Sequence, residues 1–129
     1  MKRIFVAIMF FSSFSYGADA CNYIDNSIQV GLCAESKKNE ADKYLNEQYS
    51  NLMGKIKKEY INDVGLRDEL ITSVKASQRN WIKFRDSNCK LYSFQIDSNS
   101  PAYQTTINEC VARMSESRGR ELALISNDM

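Results

Sequence analysis

The sequence predicts an all-α fold, an antiparallel bundle of three long helices stapled by two disulfides. Apolar residues recur at helical spacing in three long stretches, which places them on one face of each stretch. Proline occurs once and glycine five times in 129 residues, so the closely spaced turns of a β-sandwich are missing. Short connections require consecutive helices to run antiparallel. Four cysteines, all placed after an N-terminal leader, supply the two cross-links.

Residues 1–20 have the organisation of a secretory signal. Two basic residues are followed by a short apolar run and then by small residues that end at Gly17 or Ala20. We therefore predict export to the periplasm or secretion, cleavage after Gly17 or Ala20, and one helical domain over residues 21–129. Disulfides persist in such an oxidising compartment. A cysteine directly after a cleavage site is also a lipidation candidate, so membrane attachment is expected only if Cys21 is lipidated.

Charge and hydropathy exclude two classes of partner. The chain has 17 basic and 16 acidic residues, and removal of the leader leaves 15 of each. Nucleic acids and anionic membranes favour a basic excess, so neither is an expected partner. No second apolar stretch approaches the length of a membrane span.

The first helix is predicted over about residues 33–60. Residues 21–32 have a weak pattern and are expected to form a loop with one short helical turn ending at Gly31. Residues 62–65 interrupt the periodicity and predict a turn. The residues that share the apolar face of the first helix are Ala41, Leu45, Leu52, Ile56 and Tyr60.

The second helix is predicted over about residues 66–95, and the third runs to about residue 125. Residues 97–101 form the clearest loop, in which Ser100 can cap the third helix and Pro101 occupies its first turn. The apolar face of the second helix comprises Leu70, Val74, Trp81, Phe84 and Leu91. That of the third comprises Ile107, Val111, Met114, Arg118, Leu122 and Ile125.

Helix geometry favours one of the three pairings that four cysteines allow. If the second and third helices form a hairpin around residues 97–100, Cys89 lies about 10 Å and Cys110 about 14 Å from the turn, at about 1.5 Å per residue. Cys89 is therefore expected to bond Cys110, and Cys21 to bond Cys33. A four-cysteine zinc site is disfavoured, because structural zinc ligands usually come in pairs about two to four residues apart. We predict no metal and no cofactor.

Polar residues on the apolar faces predict a network between the helices. Arg118 falls in the middle of the third apolar face, and half-buried charges must be paired or hydrogen-bonded. We expect Arg118 to pair with Asp42, and Arg85 to pair with a neighbouring carboxylate or carbonyl. Such networks fix helix register more than they add stability. The residues assigned to the network are Asp42, Asn46, Tyr49, Gln78, Trp81, Arg85, Asp86 and Arg118.

Catalysis is not expected. The chain has no histidine, which removes the commonest general base and leaves a catalytic thiol without a partner. No glycine-rich phosphate loop is present. Two carboxylates in a cleft would make a glycosidase, but nothing in the spacing of Asp42, Glu47, Asp86 and Glu121 marks a pair. A hydrolase would lose its activity when Asp42, Asp86 or Glu121 is neutralised.

Three sequence blocks cover most of the chain after the leader. They are residues 42–49 (Asp-Lys-Tyr-Leu-Asn-Glu-Gln-Tyr), residues 78–89 (Gln-Arg-Asn-Trp-Ile-Lys-Phe-Arg-Asp-Ser-Asn-Cys) and residues 110–122. In order, they resemble the D-x-x-L-N-x-x-Y, Q-R-x-W-x-x-(F/Y)-R-D-x-x-C and C-x-x-x-(L/M)-(S/T)-x-x-R-x-x-x-L motifs of the lysozyme inhibitor LprI-like family. The middle block is specific, and Cys33 fits the cysteine expected before the first motif. Residues 98–101 depart from the Gly-Gly-Ser/Thr turn of many relatives.

The resemblance implies a small exported helical protein, in a family with some members that inhibit lysozyme. The expected function is binding and steric blocking of a lysozyme or another muramidase. Two alternatives stay open, a periplasmic immunity protein against a cell-wall-degrading toxin and a structural or envelope-stress protein with no enzyme target. For a contact surface at the 97–103 loop, Asp97, Asn99 and Tyr103 offer an acceptor, an amide and an aromatic anchor.

Overall fold

The computed structural model describes residues 20–129, which form three long helices and no strand. The helices are α1 (Ser27–Glu59), α2 (Val64–Tyr92) and α3 (Pro101–Asp128). The all-α fold expected from the sequence is therefore confirmed. The predicted leader, apart from Ala20, lies outside the described residues.

Helix α1 begins earlier than the sequence suggests. The Asn26 side chain accepts a hydrogen bond from the Gln29 N–H and so caps a helix that starts at Ser27. The loop expected over residues 21–32 therefore ends at Asn26, and the short turn ending at Gly31 is wrong. Gly31 has a negative φ and faces α3, where a Cβ would lie 3.4 Å from the Thr105 hydroxyl. A Cβ there would make an ordinary van der Waals contact, and Gly31 lies inside α1 and does not end a helix.

The other helix ends follow their local signals closely. The Asp63 side chain caps α2 by accepting from the Leu66 N–H. Ser100 caps α3 by accepting from the Tyr103 N–H, with Pro101 in the first turn as predicted. Helix α2 ends three residues before its predicted end, and α3 ends three residues after its own predicted end.

Helices α1 and α3 run parallel and share the largest interface, and α2 returns antiparallel beside them with fewer contacts. Asp42 lies opposite Ser115, and Lys55 lies opposite Ser126, so both helices advance in the same direction. Gly119 makes the approach close, because a Cβ there would come within 2.7 Å of the Tyr44 ring.

The hydrophobic core follows the α1–α3 interface. Leu45, Leu52, Ile56 and Leu122 are fully buried, and Leu70, Val74 and Trp81 of α2 are among the side chains that pack on them. A second cluster surrounds Cys89, Cys110 and Val111, with Ile107 and Met114 packed against it.

Three residues assigned to the apolar faces are exposed instead. Phe84, Leu91 and Ile125 lie on the surface. Cys89 is the one fully buried residue of α2, because this helix meets its neighbours through a narrow strip. Phe84 and Leu91 fall to one side of that strip, and Ile125 lies in the last turn of α3.

Candidate functional site

Two disulfides hold the fold at one end. Cys21 is bonded to Cys33 with Cα atoms 4.7 Å apart, and Cys89 is bonded to Cys110 with Cα atoms 5.5 Å apart. This is the predicted pairing. Because the Cys21 sulfur is bonded to Cys33, it is not a free thiol for lipid attachment in this form of the protein.

Both disulfides lie at the same end of the bundle. The parallel arrangement brings the start of α1 and the start of α3 together, and the antiparallel α2 ends beside them. We call residues 21–33 and 89–110 the clamped end. It contains the loop that the sequence singled out for partner contact.

The loop at the clamped end is ordered by its own hydrogen bonds. The Asp97 carboxylate accepts from the Asn99 N–H at 2.9 Å, and the Asp97 carbonyl accepts from the Ser100 hydroxyl at 2.7 Å. Ser93 is fully buried and its hydroxyl donates to the Cys89 carbonyl at 3.3 Å. Asp97 and Asn99 are exposed, whereas Tyr103 is half-buried. The loop is therefore a fixed turn that presents two polar side chains.

Three large apolar side chains stand out from the same end. Leu91 is 71%, Tyr92 60% and Phe94 82% exposed. Sequence reasoning placed Leu91 in the core and did not single out Tyr92 or Phe94. Cys89 and Ser93 occupy the strip that the neighbouring helices cover, and no local signal in the sequence marks the residues beside them as exposed.

Tyr92 carries a stacked arginine. The Arg113 guanidinium carbon lies 4.9 Å from the centroid of the Tyr92 ring, a cation–π distance. Arg113 also lines a groove of about 720 Å³ between α1 and α3. Three basic and three acidic side chains line this groove, which balances its charge.

A polar cluster in the middle of the bundle joins all three helices through Arg85. The Arg85 guanidinium lies 3.4 Å from the Asp42 carboxylate and donates to the Ser115 hydroxyl at 3.3 Å. Ser115 in turn donates to Asp42 at 2.8 Å. Asp86 accepts from the other side of the same guanidinium at 2.9 Å. One α2 cation therefore ties α1 to α3.

Arg118 has different partners from those expected. It donates to the Gln78 side chain at 3.2 Å and to the Ser77 hydroxyl at 2.9 Å, and it pairs with Glu121 on its own helix. The pairing of Arg118 with Asp42 is wrong, because Asp42 lies level with Ser115 and Arg85 occupies that position. Trp81 lies between the two arginines. The centroid of its ring is 5.3 Å from the guanidinium carbon of Arg85 and 6.0 Å from that of Arg118.

The remaining residues assigned to the network have other roles. Tyr49 packs against the hydrophobic core. Asn46 is exposed and lines a shallow surface depression on α1.

Three of the four carboxylates considered for a hydrolase pair with arginines. Asp42 and Asp86 share Arg85, and Glu121 pairs with Arg118. Within residues 20–129, no group of three or more histidine, cysteine, aspartate or glutamate side chains is placed to hold a metal ion. No helix in the same part of the chain combines the length and the hydropathy that a membrane span requires.

Comparisons with known proteins agree with this architecture. The family model described as lysozyme inhibitor LprI matches residues 18–122. Among solved structures, a DUF1311 family protein from Pseudomonas putida KT2440 is similar, with 26% sequence identity and a TM-score of 0.70 over 78% of this chain and 94% of that one. A search of curated proteins found no match. Since the family model spans most of the sequence, the chain belongs to the lysozyme inhibitor LprI family.

Proposed function

We propose that this protein binds a lysozyme-like, peptidoglycan-degrading enzyme in the periplasm and blocks it sterically, with no catalytic activity of its own. Family membership is the observation that carries the proposal. The clamped end supports it, because it offers a cross-linked surface with exposed aromatic and aliphatic side chains.

The physical basis of inhibition is occupation of a cleft by a rigid body. A lysozyme-type enzyme hydrolyses a polysaccharide that lies in a groove between two carboxyl groups. A helical hairpin whose tip is fixed by a disulfide can enter such a groove without ordering a flexible loop, and that lowers the entropic cost of association. Asp97 and Asn99 stand at this tip and are proposed contacts, and Tyr103 is a proposed partly buried support.

The proposed compartment follows from the same features. Disulfides persist in the periplasm, and a lysozyme that attacks peptidoglycan meets the bacterium there. We propose that residues 1–20 are removed as a signal and that residues 21–129 act as the mature domain. That domain is near neutral, so its association with an enzyme is expected to lack strong electrostatic steering and to depend weakly on salt.

The test is a titration of the purified, oxidised mature protein against lysozymes of the major structural types, with hydrolysis of peptidoglycan as the readout. We expect at least one type to be inhibited at micromolar or lower concentration. The reduced and alkylated protein is the matched control and is expected to inhibit less. The absence of inhibition of every type at micromolar excess would refute the proposed function.

A further inference from the structure

We infer that the enzyme-binding epitope is an anchor cluster formed by Leu91, Tyr92, Phe94 and Arg113, in which the Arg113 guanidinium binds a carboxylate inside the enzyme's cleft. This inference rests on the proposed function. The main contact then lies at the end of α2 and on the side of α3, and not at the polar loop residues Asp97 and Asn99.

The first support is the exposure of the apolar members. Leu91, Tyr92 and Phe94 lie within four residues of one another and are each more than half exposed. Two are aromatic, and aromatic anchors dominate the energetics of protein interfaces. All three lie in the last turn of α2 or directly after it, within the clamped end.

The second support is the position of the Arg113 side chain. Glu109 lies four residues before Arg113 and Glu116 three residues after it, both within helical pairing distance. Glu116 instead pairs with Arg120. Within the described residues, Arg113 makes no ion pair and lies over Tyr92. No side-chain hydrogen bond of Arg113 is found within the described residues either, so its N–H groups remain available to an acceptor.

The third support is preorganisation by the disulfide. Tyr92 follows Cys89 by three residues and Arg113 follows Cys110 by three residues, so each lies about one helical turn from the disulfide, on opposite sides of it along the bundle. The two positions are separated by about 9 Å along the bundle, at about 1.5 Å per residue. A side chain on a helix leans toward the helix N-terminus, which carries Arg113 of α3 toward the clamped end and onto Tyr92.

The chemistry of this cluster identifies the surface that it fits. An arginine with free N–H groups binds a carboxylate through two parallel hydrogen bonds, and the interaction is strongest where aromatic neighbours exclude water. The catalytic groove of a lysozyme-type enzyme carries two carboxyl groups. The occupant of the anchor cluster is therefore the acidic groove of such an enzyme.

The test compares inhibition constants of single variants against a lysozyme that the wild-type protein inhibits. Arg113→Ala and Phe94→Ser are each expected to raise the inhibition constant at least about tenfold, as removal of an interface hot spot does. Arg113→Lys is expected to be weaker than the wild type, because an ammonium cannot form the bidentate pair. The matched controls are Arg79→Ala, at an exposed arginine of α2, and Ile61→Ser, which is also surface-exposed and lies at the opposite end. Both are expected to stay within about twofold of the wild type.

The outcomes separate this inference from the proposed function. If the wild type inhibits and Arg113→Ala and Phe94→Ser inhibit equally well, the anchor cluster is wrong and the proposed function stands. A loss confined to Asp97→Ala and Asn99→Ala has the same meaning. A wild-type protein that inhibits no lysozyme overturns both. Thermal unfolding of each variant is measured in parallel, and a loss of inhibition at unchanged melting temperature supports a direct contact.

Discussion

Replacing Cys89 and Cys110 together by alanine is expected to lower the free energy of unfolding by about 3 kcal/mol, the value of the chain-entropy model for a loop of this size. The disulfide closes a sequence separation of 21 residues and joins α2 to α3 at the only fully buried position of α2. Because α2 has fewer contacts than its neighbours, we expect its last turns to separate first in the variant. Equilibrium denaturation followed by circular dichroism measures the effect.

The Cys21→Ala and Cys33→Ala double variant is the matched control. Its disulfide closes 12 residues, for which the same model also gives about 3 kcal/mol. We expect a clearly smaller loss of unfolding free energy for this variant. Residues 22–26 are exposed, so without the disulfide this segment can gain conformational entropy in the folded protein while it loses few contacts. Equal losses in the two double variants would contradict this assignment of structural roles.

Arg118→Ala is expected to destabilise the protein by about 2 to 4 kcal/mol, in the range of losses from breaking a buried polar cluster. Arg118 is only 9% exposed. Its truncation leaves the side-chain oxygen of Gln78 without its donor and removes one cation from the Trp81 ring. The loss is measured by urea denaturation with circular dichroism, since Trp81 is the only tryptophan and its native fluorescence will itself change.

Arg120→Ala is the control for the loss of an arginine from α3. Arg120 is 69% exposed and pairs only with Glu116 on its own helix, so its removal is expected to cost less than about 0.5 kcal/mol. Similar losses for the two arginine variants would show that the buried cluster contributes no more than a surface ion pair.

The parts of the fold that depend on local signals could be predicted from the sequence. The Ser100 cap and Pro101 fix the start of α3, and the hairpin then places Cys89 level with Cys110 at helical rise. Gly31 shows the limit of local reasoning. Its sequence context favours a helix end, but α1 starts at the Asn26 cap and continues through Gly31, which has a negative φ.

The features that the sequence does not reveal depend on which helices meet and at what level. Leu91 fits the apolar periodicity of α2 and is nevertheless exposed, because the helix contacts its neighbours through a narrow strip. Arg118 and Asp42 are both polar residues on apolar faces, but they do not pair. The parallel packing of α1 and α3 places Asp42 level with Ser115, where Arg85 of α2 reaches it.

The position of the loop at the end of the hairpin could be predicted from the sequence, whereas the residues proposed for the anchor cluster could not. The 97–103 loop does stand at the end of the hairpin, with Asp97 and Asn99 exposed. The stack of Arg113 on Tyr92 joins residues from two helices whose relative position is set by a disulfide. No pattern within either helix marks that pair.

The most direct test of the central claim is the affinity of the oxidised protein for a susceptible lysozyme, measured with and without a short chitooligosaccharide that fills the enzyme's cleft. If the clamped end occupies the cleft, the apparent Kd rises in proportion to the oligosaccharide concentration, because the two ligands exclude each other. An affinity that is unchanged at saturating oligosaccharide would contradict the account, since the protein would then bind outside the cleft.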